Sequence, residues 1–300
     1  MKKTLIILYL IVGLTGYSQN PTYPNLASTL KHDTCLNKKF SIVFYLIQDS
    51  TYNLSVPNAN VLNNIITNTI TPFVNLLNAT FKRICVSFAN CSTVVIPNYP
   101  FNKWNQNIVD PVVTANWYTD KTINFYLPSQ ATSTVPNETD GYTYPVPSTS
   151  TTPAKDVIVV ALGSLLTVNN ANFTGSGGLH VVGHFFGLPN TFDEIGPTPT
   201  PPPPPGVLNG EFVDRTNCST NGDGFCDTEA DPYPQQFNST SPPVFTCWFN
   251  KIPGQTDGKS KYYVPPVDNI MSNYGCRCKF TQEQYNRMAY VILKRRLYLH

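Results

Sequence analysis

The nine residues KFSIVFYLI, 39 to 47, are almost continuously apolar and rich in β-branched and aromatic side chains, as in a strand buried on both faces. A chain with such a strand has to cover it from either side. The next stretch, VPNANVLNNIITNTITPFVNLLNATF, supplies one cover. Leu62, Ile66, Ile70, Phe73, Leu77 and Phe81 recur at steps of three and four, which lines one face of a helix with apolar groups. Pro72 lies within it, lacks the backbone donor a helix needs, and predicts a kink or a split. ICVSFA, INFYLP and DVIVVALGS then read as further strands between loops of Asn, Ser, Thr and Pro. A glycine-rich turn leads into a second helix that stops at Gly187. This order predicts an α/β (α+β) fold with a mixed, twisted sheet and two long helices.

The second half differs in kind. GPTPTPPPPPG, residues 196 to 206, is an extended polyproline loop, because its prolines remove the donors that helix or sheet require. Of the eight cysteines, Cys35, Cys85 and Cys91 precede it, and Cys218, Cys226, Cys247, Cys276 and Cys278 follow it. An even count with no Cys-x-x-Cys spacing favours disulfides over a zinc ribbon or a redox pair, and the later group staples an irregular, loop-rich half. Disulfides need an oxidising compartment, and the N-terminus supplies the route. MKKTLIILYLIVGLTGYSQN has two lysines, an apolar run from Leu5 to Leu14 too short to span a bilayer, and small residues at Gly16 and Ser18. That is the pattern of a secretory signal peptide cleaved after Ser18.

The expected organisation is therefore a signal peptide, 1–18, a linker, 19–32, and one domain, 33–300, divided into an upper part, about 33–188, and a lower part, about 189–300. An extracellular location follows, with no transmembrane segment after signal removal. Formal net charge is +2 with 13% charged residues, so no basic stripe collects phosphates and nucleic acid is excluded as a partner. LKRR near the C-terminus follows a helical apolar pattern and reads as the solvated last turn of a closing helix, near 281–297.

GGLHVVGHFFGLPNTFDE, residues 177 to 194, carries the chemistry. Positions four apart on a helix are offset by about 40°, so His180 and His184 leave one face and can grip one ion. Gly187 allows a sharp exit that returns a third ligand to the same point. The stretch resembles the metzincin zinc motif, H-E-x-x-H-x-x-G-x-x-H followed by a Met-turn. Within that clan the chain is most similar to the pappalysin and ulilysin family of secreted metalloproteases. GLPNTF is similar to that family's Gly-Leu-x-His-Thr-Phe. NCSTNGDGFCDTEADP resembles its Asn-Cys…Gly-Asp-x-x-Cys-Asp-Thr-Pro-Ala-Asp segment, and VDNIMSNYGCRCKFTQEQYNRM its Met-turn and closing helix. Order and spacing agree over residues 33 to 292.

Carried over position by position, the resemblance implies zinc held by His180 and His184 above Met271, the methionine that underlies the metal. It also implies a structural calcium, with Asp223 and Asp227 as contributors; the loop lacks the twelfth-position glutamate of an EF-hand. Elsewhere the motif departs from the family. Val181 occupies the general-base position, and an isopropyl group has no proton to move. Asn190 occupies the third-ligand position, where a neutral amide oxygen is a poor partner for zinc. Asn273 stands where a tyrosine supports the tetrahedral intermediate, and a shift of register would bring Tyr274 to that place. Asp193 and Glu194 are the nearby carboxylates that a substitute third ligand would use.

A missing base costs about 10²- to 10⁴-fold in rate and a missing oxyanion donor about 10²- to 10³-fold. The resemblance thus implies a catalytically impaired or inactive homologue that keeps a cleft for a protein or peptide, bound by strand addition along an exposed edge. Two alternatives stand beside it. One is an active zinc endopeptidase with a substitute ligand and base. The other is a metal-free extracellular binding or structural protein whose two imidazoles are simply hydrogen-bonded.

Overall fold

The computed structural model describes residues 35–48, 59–132, 141–147, 155–166, 176–193, 210–232 and 256–299. The signal peptide, the linker, the polyproline loop, Glu194 and Cys247 lie outside these residues. Strand β1 (Lys38–Ile47) is the inner strand on which the upper part is built. It pairs in parallel with β2 (Val86–Ile96) on one side and with β4 (Ile123–Leu127) on the other. Next to β4 lies β7 (Val157–Val160), also parallel, and β6 (Gly141–Thr143) closes that edge antiparallel to β7. The order is β2-β1-β4-β7-β6, and a separate ribbon pairs β3 (Lys103–Asn105) with β5 (Gln130–Thr132).

The apolar run of β1 is divided between two cores by the period of two that a strand imposes. Phe40, Ile42, Phe44 and Leu46 join the larger core, while Val43, Tyr45 and Ile47 face a second one with Trp104 and Tyr126. Helices α1 (Ala59–Ile65) and α2 (Thr71–Phe81) cover the first face, with Phe73, Leu77 and Phe81 fully buried. Helix α3 (Val109–Asn116) contributes Val109 and Val113 to the second.

The break expected at Pro72 takes a specific form. Ile66–Ile70, between α1 and α2, is a π turn, and the Thr71 N–H reaches back to Ile66 O. Proline has no N–H to offer the carbonyl four residues back. One extra residue in the turn before it lets the ring enter at the first turn of α2, where no donor is needed.

Two expectations need correction. Helix α4 (Gly177–Phe185) has nine residues rather than the length of a second long helix, because Gly187, at φ +84°, ends it. Helix α5 (Gln282–Lys294) closes the chain where expected, opened by a Thr281–Gln284 capping box. The basic turn after it is not solvated throughout. Arg296 is fully buried, pairs with Asp156 at the start of β7, and donates from Nε to Phe185 O at 3.0 Å. Its guanidinium lies 3.6 Å from the Phe185 ring centroid, and the Tyr298 hydroxyl reaches the same aspartate at 2.8 Å. Local sequence cannot foretell this burial, since the partners stand 111 and 140 residues away.

Disulfides join Cys35 to Cys85, tying the starts of β1 and β2, and Cys218 to Cys226. Cys276 is disulfide-bonded as well, whereas Cys91 and Cys278 are exposed free thiols. Among the described residues no helix is long and apolar enough to cross a membrane.

Candidate metal-binding site

Helix α4 packs against β6 and β7 and is fastened at both ends. Ser176 caps its start: Oγ accepts from Leu179 N at 2.9 Å and donates to Leu165 O at 2.6 Å. The glycines of the opening turn permit a close approach. A β-carbon on Gly178 would stand 2.8 Å from both Leu165 and Phe73. At the other end the Gly187 N–H bonds His184 O at 2.8 Å and the Leu188 N–H bonds Gly183 O at 3.0 Å, the paired bonds of a Schellman motif. Arg296 takes the Phe185 carbonyl and Arg287 Nε reaches Gly187 O at 3.3 Å, so these terminal acceptors are satisfied.

The two histidines leave the helix as its period dictates, with ring centroids 4.7 Å apart and ring planes at 82°. His180 is buried and its Nδ1 lies 2.7 Å from Ile270 O; His184 is half-buried and its Nδ1 lies 2.8 Å from Leu188 O. A carbonyl oxygen only accepts, so each Nδ1 carries a hydrogen and the two Nε2 atoms are left to face each other. Those Nε2 atoms are 3.0 Å apart. At this separation either a proton on one ring is donated to the other or a metal cation lies between them. Two imidazoles on a tetrahedral zinc ion, with bonds of about 2.05 Å, stand about 3.3 Å apart, so the pair is within a few tenths of an ångström of that spacing. An Nδ1–H held by a backbone carbonyl is also the usual outer support of a ligating histidine.

Met271 packs against the same helix at Gly183. It is fully buried, and a β-carbon on Gly183 would overlap its sulfur. The turn that carries it is held by Asn269. Its Oδ1 accepts from Met271 N at 2.8 Å, and its carboxamide exchanges hydrogen bonds with that of Gln284 at 3.1 and 3.2 Å. Ile270, whose carbonyl orients His180, thus belongs to the same turn that places Met271.

The other positions form no ligand set or base around the pair. Val181 is fully buried in the main hydrophobic core. Asn190 is buried, and Asp193 accepts from its backbone N at 2.8 Å and from its Nδ2 at 3.5 Å. The Asp193 carboxylate therefore caps the loop. Tyr274 is buried and its hydroxyl donates to Asp231 at 3.0 Å; Asn273 is buried beside it in the chain. Asp231 also accepts from Thr191 Oγ1 at 2.5 Å, which binds the loop after α4 to the segment after Met271. Its bridging role was not readable from local sequence, although it stands inside the TEADP stretch. Among the described residues no three His, Cys, Asp or Glu side chains are placed together to hold a metal ion. Two imidazoles fit zinc. A catalytic zinc takes three protein ligands, and the described His, Cys, Asp and Glu side chains do not assemble three here.

Asp223 and Asp227 lie in a buried acidic neighbourhood with Glu211. Burial, with Glu211 next in effect, pushes the Asp223 carboxyl well above the usual carboxylate range. Its Oδ1 accepts from Phe225 N at 2.9 Å and Asp227 Oδ2 accepts from Glu283 N at 2.8 Å. The second oxygen of each is buried without a hydrogen-bond partner. Buried carboxylate oxygens are hard donors of the kind calcium takes, with carbonyls or water to complete the shell.

No protein-family model and no curated protein sequence matches the chain.

Proposed function

We propose that this chain is an exported, pappalysin-like metalloprotease homologue that has kept the orienting frame of a zinc site and lost the catalytic groups. The observation that carries this proposal is the histidine pair, with both Nδ1 atoms on backbone carbonyls and both Nε2 atoms facing each other at 3.0 Å. A proton shared between the two rings gives the same spacing without a metal, and metal analysis separates the two cases. Met271 beneath Gly183 supports the proposal. Against turnover stand an aliphatic residue at the base position and a loop carboxylate already used on Asn190. The retained activity is binding: a protein or peptide segment added as a strand along β6, the short antiparallel edge beside α4. Calcium at Asp223 and Asp227 belongs to the same proposal as a structural ion.

Metal analysis of the purified mature protein, together with a peptide-library assay run with and without chelator, tests it. Substoichiometric or weak zinc with no chelator-sensitive cleavage is expected. Chelator-sensitive hydrolysis would overturn the loss of catalysis, and complete indifference to zinc would overturn the retained site.

A further inference from the structure

The parallel strands β2-β1-β4-β7 leave one place where neighbours send their chains in opposite directions. From β1 the chain goes through α1 and α2 to β2 on one side, while from β4 it goes on towards β7 on the other. In open α/β sheets a crevice opens outside the carboxyl ends of the strands at such a switch point, and ligands bind there. Here that crevice is a cavity of about 340 Å³, within the size range of small-molecule sites.

Its walls define what it accepts. Leu46, Leu127, Ile65 and Leu162 make an aliphatic floor, and none of the described residues lining the cavity is charged. On the rim, Asn64 and Asn68 stand one helical turn apart, Asn68 Nδ2 donating to Asn64 Oδ1. With that bond made, Asn64 Nδ2 and Asn68 Oδ1 are left as a donor and an acceptor side by side. Asn68 sits within the π turn, a distortion that occurs frequently at functional sites.

We propose that this cavity binds a small uncharged ligand with a branched aliphatic body and a carboxamide head, of the kind an amide-linked leucine presents. The body covers the leucine and isoleucine floor. The head pairs with the asparagines, its carbonyl accepting from Asn64 and its N–H donating to Asn68. A charged or phosphate-bearing ligand would lose hydration with no counter-charge in return. The site shares no residue with the histidine pair, so it does not depend on the proposed function above.

Gly163 provides the control. It lines the cavity, its backbone is not left-handed, and a β-carbon built on it meets nothing within 4 Å. A larger side chain there has room to grow at the cavity wall without displacing its neighbours. The experiment is a titration of the isotope-labelled full chain with N-acetyl-leucinamide, followed by the side-chain amide resonances of Asn64 and Asn68. Saturable shifts are expected with a Kd of about 1 mM, and Gly163→Trp is expected to weaken binding by about tenfold or more while the rest of the spectrum is unchanged. N-acetyl-aspartamide, with its free carboxylate, is expected to bind about tenfold more weakly. Shifts that do not saturate, that persist in Gly163→Trp, or that are equal for the acidic probe overturn the proposal. Should Gly163→Trp not fold, Asn68→Leu on the exposed helix surface serves instead: it is expected to abolish the preference for the carboxamide, and an undiminished affinity in it also overturns the proposal.

Discussion

Met271 packs its sulfur against Gly183, the residue immediately before His184, at a distance that leaves no room for a β-carbon. Gly183→Ala must push the methionine turn away from α4 and is expected to cost about 1–3 kcal/mol. Met271→Ala leaves a cavity in the same place and costs about 2–5 kcal/mol. Urea denaturation measures both. Equal stability of wild type and Gly183→Ala would show that the turn and the helix are not in contact.

Asn190→His restores an imidazole at the third-ligand position without touching the core. It is expected to raise zinc affinity by about tenfold or more, read by competition with a chromogenic chelator. Val181→Glu is a different matter, because its side chain enters the fully buried core. A buried unpaired carboxyl costs several kcal/mol, so the double variant Val181→Glu/Asn190→His is expected to bind zinc only with a large loss of stability. Zinc affinity unchanged by Asn190→His removes the loop from the site.

Asp223 binds its proton more tightly in the folded chain than in the unfolded one. Metal-free protein therefore loses stability as pH rises through the ordinary carboxylate range, from about pH 4, until Asp223 ionises within the fold. Asp223→Asn removes this penalty. In chelator the variant is expected to be the more stable of the two at neutral pH, with the gap closing as pH falls into the ordinary carboxylate range. Added calcium reverses the order, since only the wild type retains both carboxylates. Denaturation midpoints across pH, with chelator and with calcium, check both halves.

The buried pair of Arg296 and Asp156 is worth more as a match than as a bond. Arg296→Met leaves a buried aspartate without its guanidinium and is expected to cost about 3–5 kcal/mol. Replacing Asp156 by Asn in the same background recovers part of that loss. A double variant no more stable than the single one contradicts a charge-matching role.

Two thiols, Cys91 and Cys278, are expected to react with a maleimide in the native protein, while Cys35, Cys85, Cys218 and Cys226 react only after reduction. Mass spectrometry of labelled peptides reads the positions. Labelling of Cys35 or Cys85 without reductant would mean that the starts of β1 and β2 are not linked.

Strands β1, β2, β4 and β7 were legible in the sequence because apolar runs in a parallel sheet need no partner to be recognised. The helical face from Leu62 to Phe81 was legible for a similar reason, and Pro72 marked the irregularity, though not its π form. The placement of His180 and His184 on one face followed from helical period alone. Longer-range facts were not available. Arg296 looked like a surface residue because Asp156 and Phe185 are remote in sequence, and Val181 was assigned by the motif alone, which says nothing of the core around it. Asp193 seemed a spare ligand until its carboxylate was seen to accept from Asn190.

The ring of His184 is oriented by the carbonyl at the exit of its own helix, and that of His180 by a carbonyl ninety residues further along the chain. Both acceptors are main-chain atoms, which point mutations do not delete. A lineage can therefore lose its proton acceptor and a ligand by single substitutions while each imidazole keeps its tautomer. On the proposed reading, such a scaffold keeps the orientation of its two imidazoles for as long as the helix exit and the methionine turn remain folded.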